Sequence, residues 1–88
     1  MNHLIKKQEQ LRSEQVMLEQ QIKTCEAYQS VLFDFTASEG ANFHRLTVEE
    51  LLLPLHRLEI NLRLEFFHLK LAQAFVACDI KHGEGVAK

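Results

Sequence analysis

A Glu and a His spaced three residues apart form the first group in this sequence that could do chemistry. Glu65 and His68 have the E-x-x-H spacing by which a helix of a ferritin-like bundle presents a carboxylate and an imidazole to a metal. A dimer would contribute two such pairs, and Glu14, Glu19 or Glu26 could add carboxylates. A solvated Glu and His between apolar faces are common, so a di-metal helical bundle is kept only as an alternative and no metal is predicted.

Thiols and further histidines give no stronger chemical signal. Cys78, Asp79 and His82 lie close in sequence, but adjacent residues of a helix point about 100° apart, so Cys78 and Asp79 do not converge. Neither Cys25 nor Cys78 belongs to a CxxC pair, and we interpret both as buried free thiols in a reducing compartment. The sequence contains no P-loop, G-x-G-x-x-G or H-E-x-x-H motif. It predicts a protein that is not an enzyme and uses no cofactor or small-molecule substrate.

The charge balance gives the protein no overall positive charge with which to attract nucleic acid. The 88 residues carry 10 Lys and Arg, 12 Asp and Glu, and a formal net charge of −2. A small dimeric helical regulator that binds RNA or DNA remains an alternative, because small helical hairpins can bind nucleic acid through exposed faces. The basic residues available for that role are Lys6, Lys7, Arg12 and Lys23. Nucleic-acid binding is not favoured.

Two patterns of apolar residues predict the helices that position these side chains. The first pattern is a seven-residue repeat. Apolar residues recur at Leu4, Leu11, Leu18, Cys25 and Leu32. This spacing predicts one long helix over 2–38 with a coiled-coil-like seam. In its second half Ile22, Tyr28 and Phe35 are expected to join the seam.

The second pattern spans Leu51 to Ile80 and has two interpretations. From Leu58 to Phe66 apolar and polar residues alternate, which is typical of a half-buried strand. Helix-forming residues dominate the segment and no other segment offers a partner strand, so we predict a helix. On that helix the apolar residues form two stripes about 180° apart. The first stripe is Leu51, Leu55, Leu58, Leu62, Phe66, Leu69, Val76 and Ile80, and the second stripe is Leu53, Ile60, Leu64, Phe67, Leu71, Phe75 and Cys78.

The segment between the helices contains boundary signals. Gly40 is expected to end the first helix as a C′ glycine, within a loop that spans 39–46. Thr47 and Glu50 form a capping box that predicts a helix start. Pro54 then predicts either a kink or a short helix over 47–53 that precedes a second long helix over 54–82. Residues 83–88 are predicted to be a loose tail.

Together these elements predict a single all-α domain, an antiparallel helical hairpin. One stripe can be covered by the first helix, and the other needs a second copy or a different protein, so we expect a dimer that forms a four-helix bundle. The expected function is a small cytoplasmic protein–protein interaction module, such as an adaptor, co-chaperone or anti-activator. The start of the chain lacks an apolar signal region and no stretch is apolar enough to span a membrane, so no membrane association is expected. The expected partner or dimer contacts are Leu62, Leu64, Phe66, Phe67, Leu69, Leu71 and Phe75.

Overall fold

Two long helices side by side make up almost all of the structure. The computed structural model describes residues 2–86 and contains helix α1 (Asn2–Glu39), a 3-10 turn (Gly40–Asn42) and helix α2 (Arg45–Val86). The helices form an antiparallel hairpin of 70 × 16 × 15 Å. The predicted all-α hairpin is confirmed. The segment Leu58 to Phe66 is helical, so its alternating pattern reflects two apolar sides of a helix rather than a strand.

The turn between the helices differs from the predicted one. Gly40 does not adopt a left-handed backbone, so it is not a C′ glycine. The chain instead tightens into the 3-10 turn, in which the N–H of Phe43 donates to the carbonyl of Gly40 at 3.1 Å. The predicted loop 39–46 therefore contracts to this turn and the two residues that follow it.

Helix α2 starts two residues before the predicted cap. The N–H of Val48 donates to the carbonyl of His44 at 3.1 Å, which closes the first helical turn on His44. The Nδ1 atom of the His44 side chain accepts a hydrogen bond from the N–H of Thr47 at 3.4 Å and lies 2.9 Å from the Thr47 hydroxyl oxygen. The His44 imidazole therefore caps the N-terminus of α2, a role that a Ser or Thr side chain usually has. The prediction of Thr47 as the N-cap is wrong, because Thr47 is already in the first turn.

Helix α2 continues through Pro54. The predicted separate helix over 47–53 is wrong, since one helix runs from Arg45 to Val86. Pro54 is on the exposed side, while Leu52 and Leu55 on either side of it are partly buried against α1. Packing on both sides of the proline offsets the missing backbone donor. The helix also extends past Gly83, and the last two residues of the predicted tail over 83–88 lie outside the described residues.

The core is a single seam between α1 and α2. Its central cluster contains Leu18, Ile22, Cys25, Leu62 and Leu69, with Leu11, Leu55 and Phe66 packed against it. The seven-residue repeat predicted for α1 is confirmed in position, because each of its members is buried or partly buried. Tyr28 and Phe35 do not join it, as both side chains are more than half exposed. They lie one residue before Gln29 and Thr36, which occupy the seam instead.

Polar pairs lie on both sides of the central apolar cluster. The amide of Gln73 donates to Oε1 of Gln15 at 2.8 Å toward one end of the hairpin. Toward the other end, the buried Gln29 donates to the carboxylate of Glu59. Both pairs keep the same antiparallel alignment of the helices. A buried polar group without its partner is costly, so these pairs favour this alignment over others.

Truncation of the core should be clearly destabilising. We expect Leu62→Ala to lower the free energy of unfolding by about 2–3 kcal/mol, because it leaves a cavity between α1 and α2. Urea unfolding followed by circular dichroism measures this change. Lys23→Ala on the exposed side of α1 is the control and should change stability by less than about 0.5 kcal/mol. Equal effects of the two substitutions would contradict the assigned core.

Candidate protein interaction surfaces

The second stripe of α2 is exposed over its whole length. Its large apolar side chains, from Leu53 to Phe75, are between 41% and 62% exposed, and Cys78 is exposed as well. The first stripe is on the opposite side of the same helix, where Leu62, Leu69 and Val76 are buried against α1. The hairpin therefore covers one apolar side of α2 and leaves the other in solvent.

The structure divides the residues predicted to bind a partner into two groups. Leu62 and Leu69 are buried and Phe66 is partly buried in the core between α1 and α2. The remaining four belong to the second stripe and are exposed: Leu64, Phe67, Leu71 and Phe75. The sequence could not decide which stripe meets α1, because both have similar content and spacing.

A second exposed apolar surface lies where the helices meet the turn. We call it the turn-end surface; Phe35, Phe43 and Leu51 lie at its centre, and the exposed Tyr28, Val31 and Leu58 follow further along the same two helices. The rings of Phe35 and Phe43 are 5.4 Å apart between centroids. Both line a cavity of about 450 Å³ together with Leu51. Leu51 is 72% exposed, although it belongs to the first stripe, whose members Leu62, Leu69 and Val76 are buried.

Sequence reasoning did not identify the turn-end surface as a candidate site. It assigned Tyr28 and Phe35 to the seam of α1, and Leu51 and Leu58 to the first stripe. The available signal was the i, i+3, i+7 spacing of Tyr28, Val31 and Phe35, which places three large side chains on one side of α1.

A charged network lies beside the core on one side of the hairpin. Arg63 of α2 forms ion pairs with Glu26 of α1 and with Glu59 one turn earlier, the latter at 2.6 Å from Nε to Oε2. Glu59 also accepts from Gln29, whose Oε1 lies 3.3 Å from Nδ1 of His56. The hydrogen bond from Arg63 is the largest cause that lowers the pKa of Glu59 below its ordinary value of 4.5, and Gln29 adds to it.

The candidate metal ligands remain apart. Glu65 and His68 are both exposed on α2, on the side away from the Glu26 and Arg63 pair. Within residues 2–86 the structure brings no three His, Cys, Asp or Glu side chains into a group that could hold a metal ion. In the same part of the chain, neither helix combines the length and apolar character needed to cross a membrane.

The network around Glu59 predicts a loss of stability in acid. A carboxyl group whose pKa is lowered by folding stabilises the fold above its ordinary pKa, and this contribution disappears as pH falls through the lowered value. We therefore expect the melting temperature to fall between about pH 5 and pH 3, and to fall less in Glu59→Gln. Thermal melts followed by circular dichroism measure both. The control, Glu65→Gln at an exposed position, should keep the pH dependence of the native chain.

Comparison with known proteins adds no family to this description. No protein-family model, curated protein or solved structure matches the chain.

Proposed function

We propose that this chain is a small, non-catalytic protein–protein interaction module of the cytoplasm that acts as an adaptor or co-chaperone. It binds another protein chain through the second stripe of α2. The observation that carries this proposal is the exposure of six large apolar side chains on one side of a helix whose other side forms the core. Exposed apolar surface of this extent is typical of binding sites in soluble proteins.

The composition of the second stripe suits a helical partner. Between Ile60 and Cys78 its members are Leu, Ile, Phe and Cys, and no charged residue interrupts them. Apolar side chains at i, i+3, i+4 and i+7 are the contacts that a helix offers to another helix or to a groove. Phe67 and Phe75 are the largest of these side chains, and aromatic side chains commonly contribute most of the binding energy.

The turn-end surface supports the adaptor role. It lies at one end of the hairpin, whereas the second stripe follows the outer side of α2. A chain with two separate apolar surfaces can contact two protein molecules, which is what an adaptor requires. The concave cavity beside Phe35 and Leu51 would accept a single bulky side chain of a further partner.

Site-specific photo-crosslinking in cells tests the proposal. A benzoyl-phenylalanine placed at Phe67 should give discrete cross-linked products with a protein chain, because the ring would lie against the partner. The same probe at Ser13, which is exposed on α1 far from the turn-end surface, is the matched control and should give none. Product mass and peptide sequencing identify the chain that was captured.

Charge substitutions show whether that contact depends on the second stripe. Leu71→Glu should abolish cross-linking at position 67 and keep the helical circular dichroism signal, because residue 71 is exposed. Leu69→Glu places a charge in the core and should reduce the helical signal itself. If position 67 gave no discrete product, or if Leu71→Glu left the product unchanged, the proposed function would be wrong.

A further inference from the structure

The hairpin exposes far more surface than a compact protein of its size. Its accessible surface is 7100 Å², whereas a compact monomer of 10.2 kDa exposes about 5,300 Å². The excess of about 1,800 Å² is more than twice the roughly 800 Å² that each partner contributes to a standard interface. One chain has enough uncovered surface for a stable dimer.

The exposed side of α2 contains two series of residues at seven-residue spacing. One series is Glu50, Arg57, Leu64, Leu71 and Cys78, and the other is Leu53, Ile60, Phe67, Ala74 and Lys81. The two series correspond to the a and d positions of a coiled coil, because each residue of the second series comes three residues after a residue of the first series. Charged residues occur only toward the ends of this seam, and its centre is apolar.

Charge complementarity selects the direction in which two such seams could pair. In a parallel pair each residue faces its own copy, so Glu50, Arg57 and Lys81 would each meet a like charge. In an antiparallel pair with Leu64 against the partner's Phe67, Glu50 faces the partner's Lys81. In the same register Arg57 faces the partner's Ala74, where the small side chain leaves room.

The same antiparallel register matches the apolar residues. Ile60 faces the partner's Leu71, and Leu53 faces the partner's Cys78. Sliding one copy by seven residues destroys this match, since it sets Arg57 against either the partner's Phe67 or the partner's Lys81. Like charges and charges buried against apolar groups disfavour those registers. On the flank, Arg63 approaches the partner's Lys70, but its charge is compensated by Glu26 and Glu59 of its own chain.

We propose that the second stripe binds a second copy of this chain, with the two α2 helices antiparallel and Leu64 packed against the partner's Phe67. The inference rests on the proposed function and names the partner at the same surface. Because the core and the second stripe are on opposite sides of α2, the two α2 helices lie in the middle of the assembly and the two α1 helices lie outside. The turn-end surfaces remain uncovered at opposite ends.

Disulfide cross-linking tests the register with a single substitution. In Leu53→Cys, the new thiol lies opposite the partner's Cys78, so mild oxidation with oxidised glutathione should give a covalent dimer on a non-reducing gel. Residues 53 and 78 of one chain are about 37 Å apart along the helix, so they cannot form a bond within one chain. The buried Cys25 is present in every variant and serves as an internal control.

Two further chains complete the experiment. The double variant Leu53→Cys with Cys78→Ser should remain uncross-linked, and so should the native chain, because antiparallel pairing keeps the two Cys78 thiols far apart. Light scattering of the native chain should give twice the mass of 10.2 kDa. A native Cys78 disulfide dimer, or equal cross-linking of the double variant, would overturn the register.

The outcome for the proposed function is separate. A native chain that is monomeric by light scattering, yet cross-links from position 67 to a different protein in cells, would overturn the second copy as partner and leave the interaction module in place. A monomer with no product at position 67 would overturn both.

Discussion

A helix with apolar residues on two opposite sides cannot bury both of them against one neighbour, and this constraint determines the character of the molecule. Helix α1 covers the side that contains Leu62, Leu69 and Val76. The chain has no third helix among its described residues to cover Leu64, Phe67 and Leu71. Since apolar burial is the main favourable contribution to both folding and association, covering this side of α2 would be favourable.

The same constraint explains the elongated shape. Two helices of about 40 residues give a rod 70 Å long in which even the core side chains keep a little solvent exposure. Such a core is thin, and small domains of this kind commonly gain stability by assembly. The thin core and the uncovered apolar side of α2 are therefore two results of one arrangement. The long exposed side of α2 also explains why the candidate site is a surface rather than a pocket.

Much of this fold was predictable from the sequence because helical periodicity is a local property. The seven-residue repeat of α1, the second stripe of α2 and the part of the first stripe from Leu62 to Val76 lie where the pattern placed them, whereas Leu51 and Leu58 of the first stripe are exposed. The start of α2 was misplaced although its cap is local, because Thr is a commoner N-cap residue than His and Thr47 was therefore preferred over His44. Of the two outcomes predicted at Pro54, the separate short helix is wrong, because Leu52 and Leu55 beside the proline pack against α1 and keep α2 continuous.

From the sequence, the candidate site could be either of the two apolar stripes of α2. Sequence alone placed two apolar stripes on α2, but the choice of the inner stripe depends on which one aligns with the seam of α1. The turn-end surface was missed because the sequence pattern did not fix which residues of α1 face α2. Tyr28 and Phe35 are one residue away from positions that do face α2, and a shift of one residue turns a side chain by about 100° around the helix.

The two polar pairs between the helices also affect how the rod can move. If α1 slid by seven residues in one direction, Gln29 would meet Phe66 and Gln73 would meet Ile22; in the other direction, Glu59 would meet Ile22. Either displacement would place amide or carboxylate groups against apolar side chains without hydrogen-bond partners. A seam made only of leucines would instead allow several equivalent alignments of the two helices. Axial sliding of one helix past the other is thus opposed at two separate levels of the hairpin.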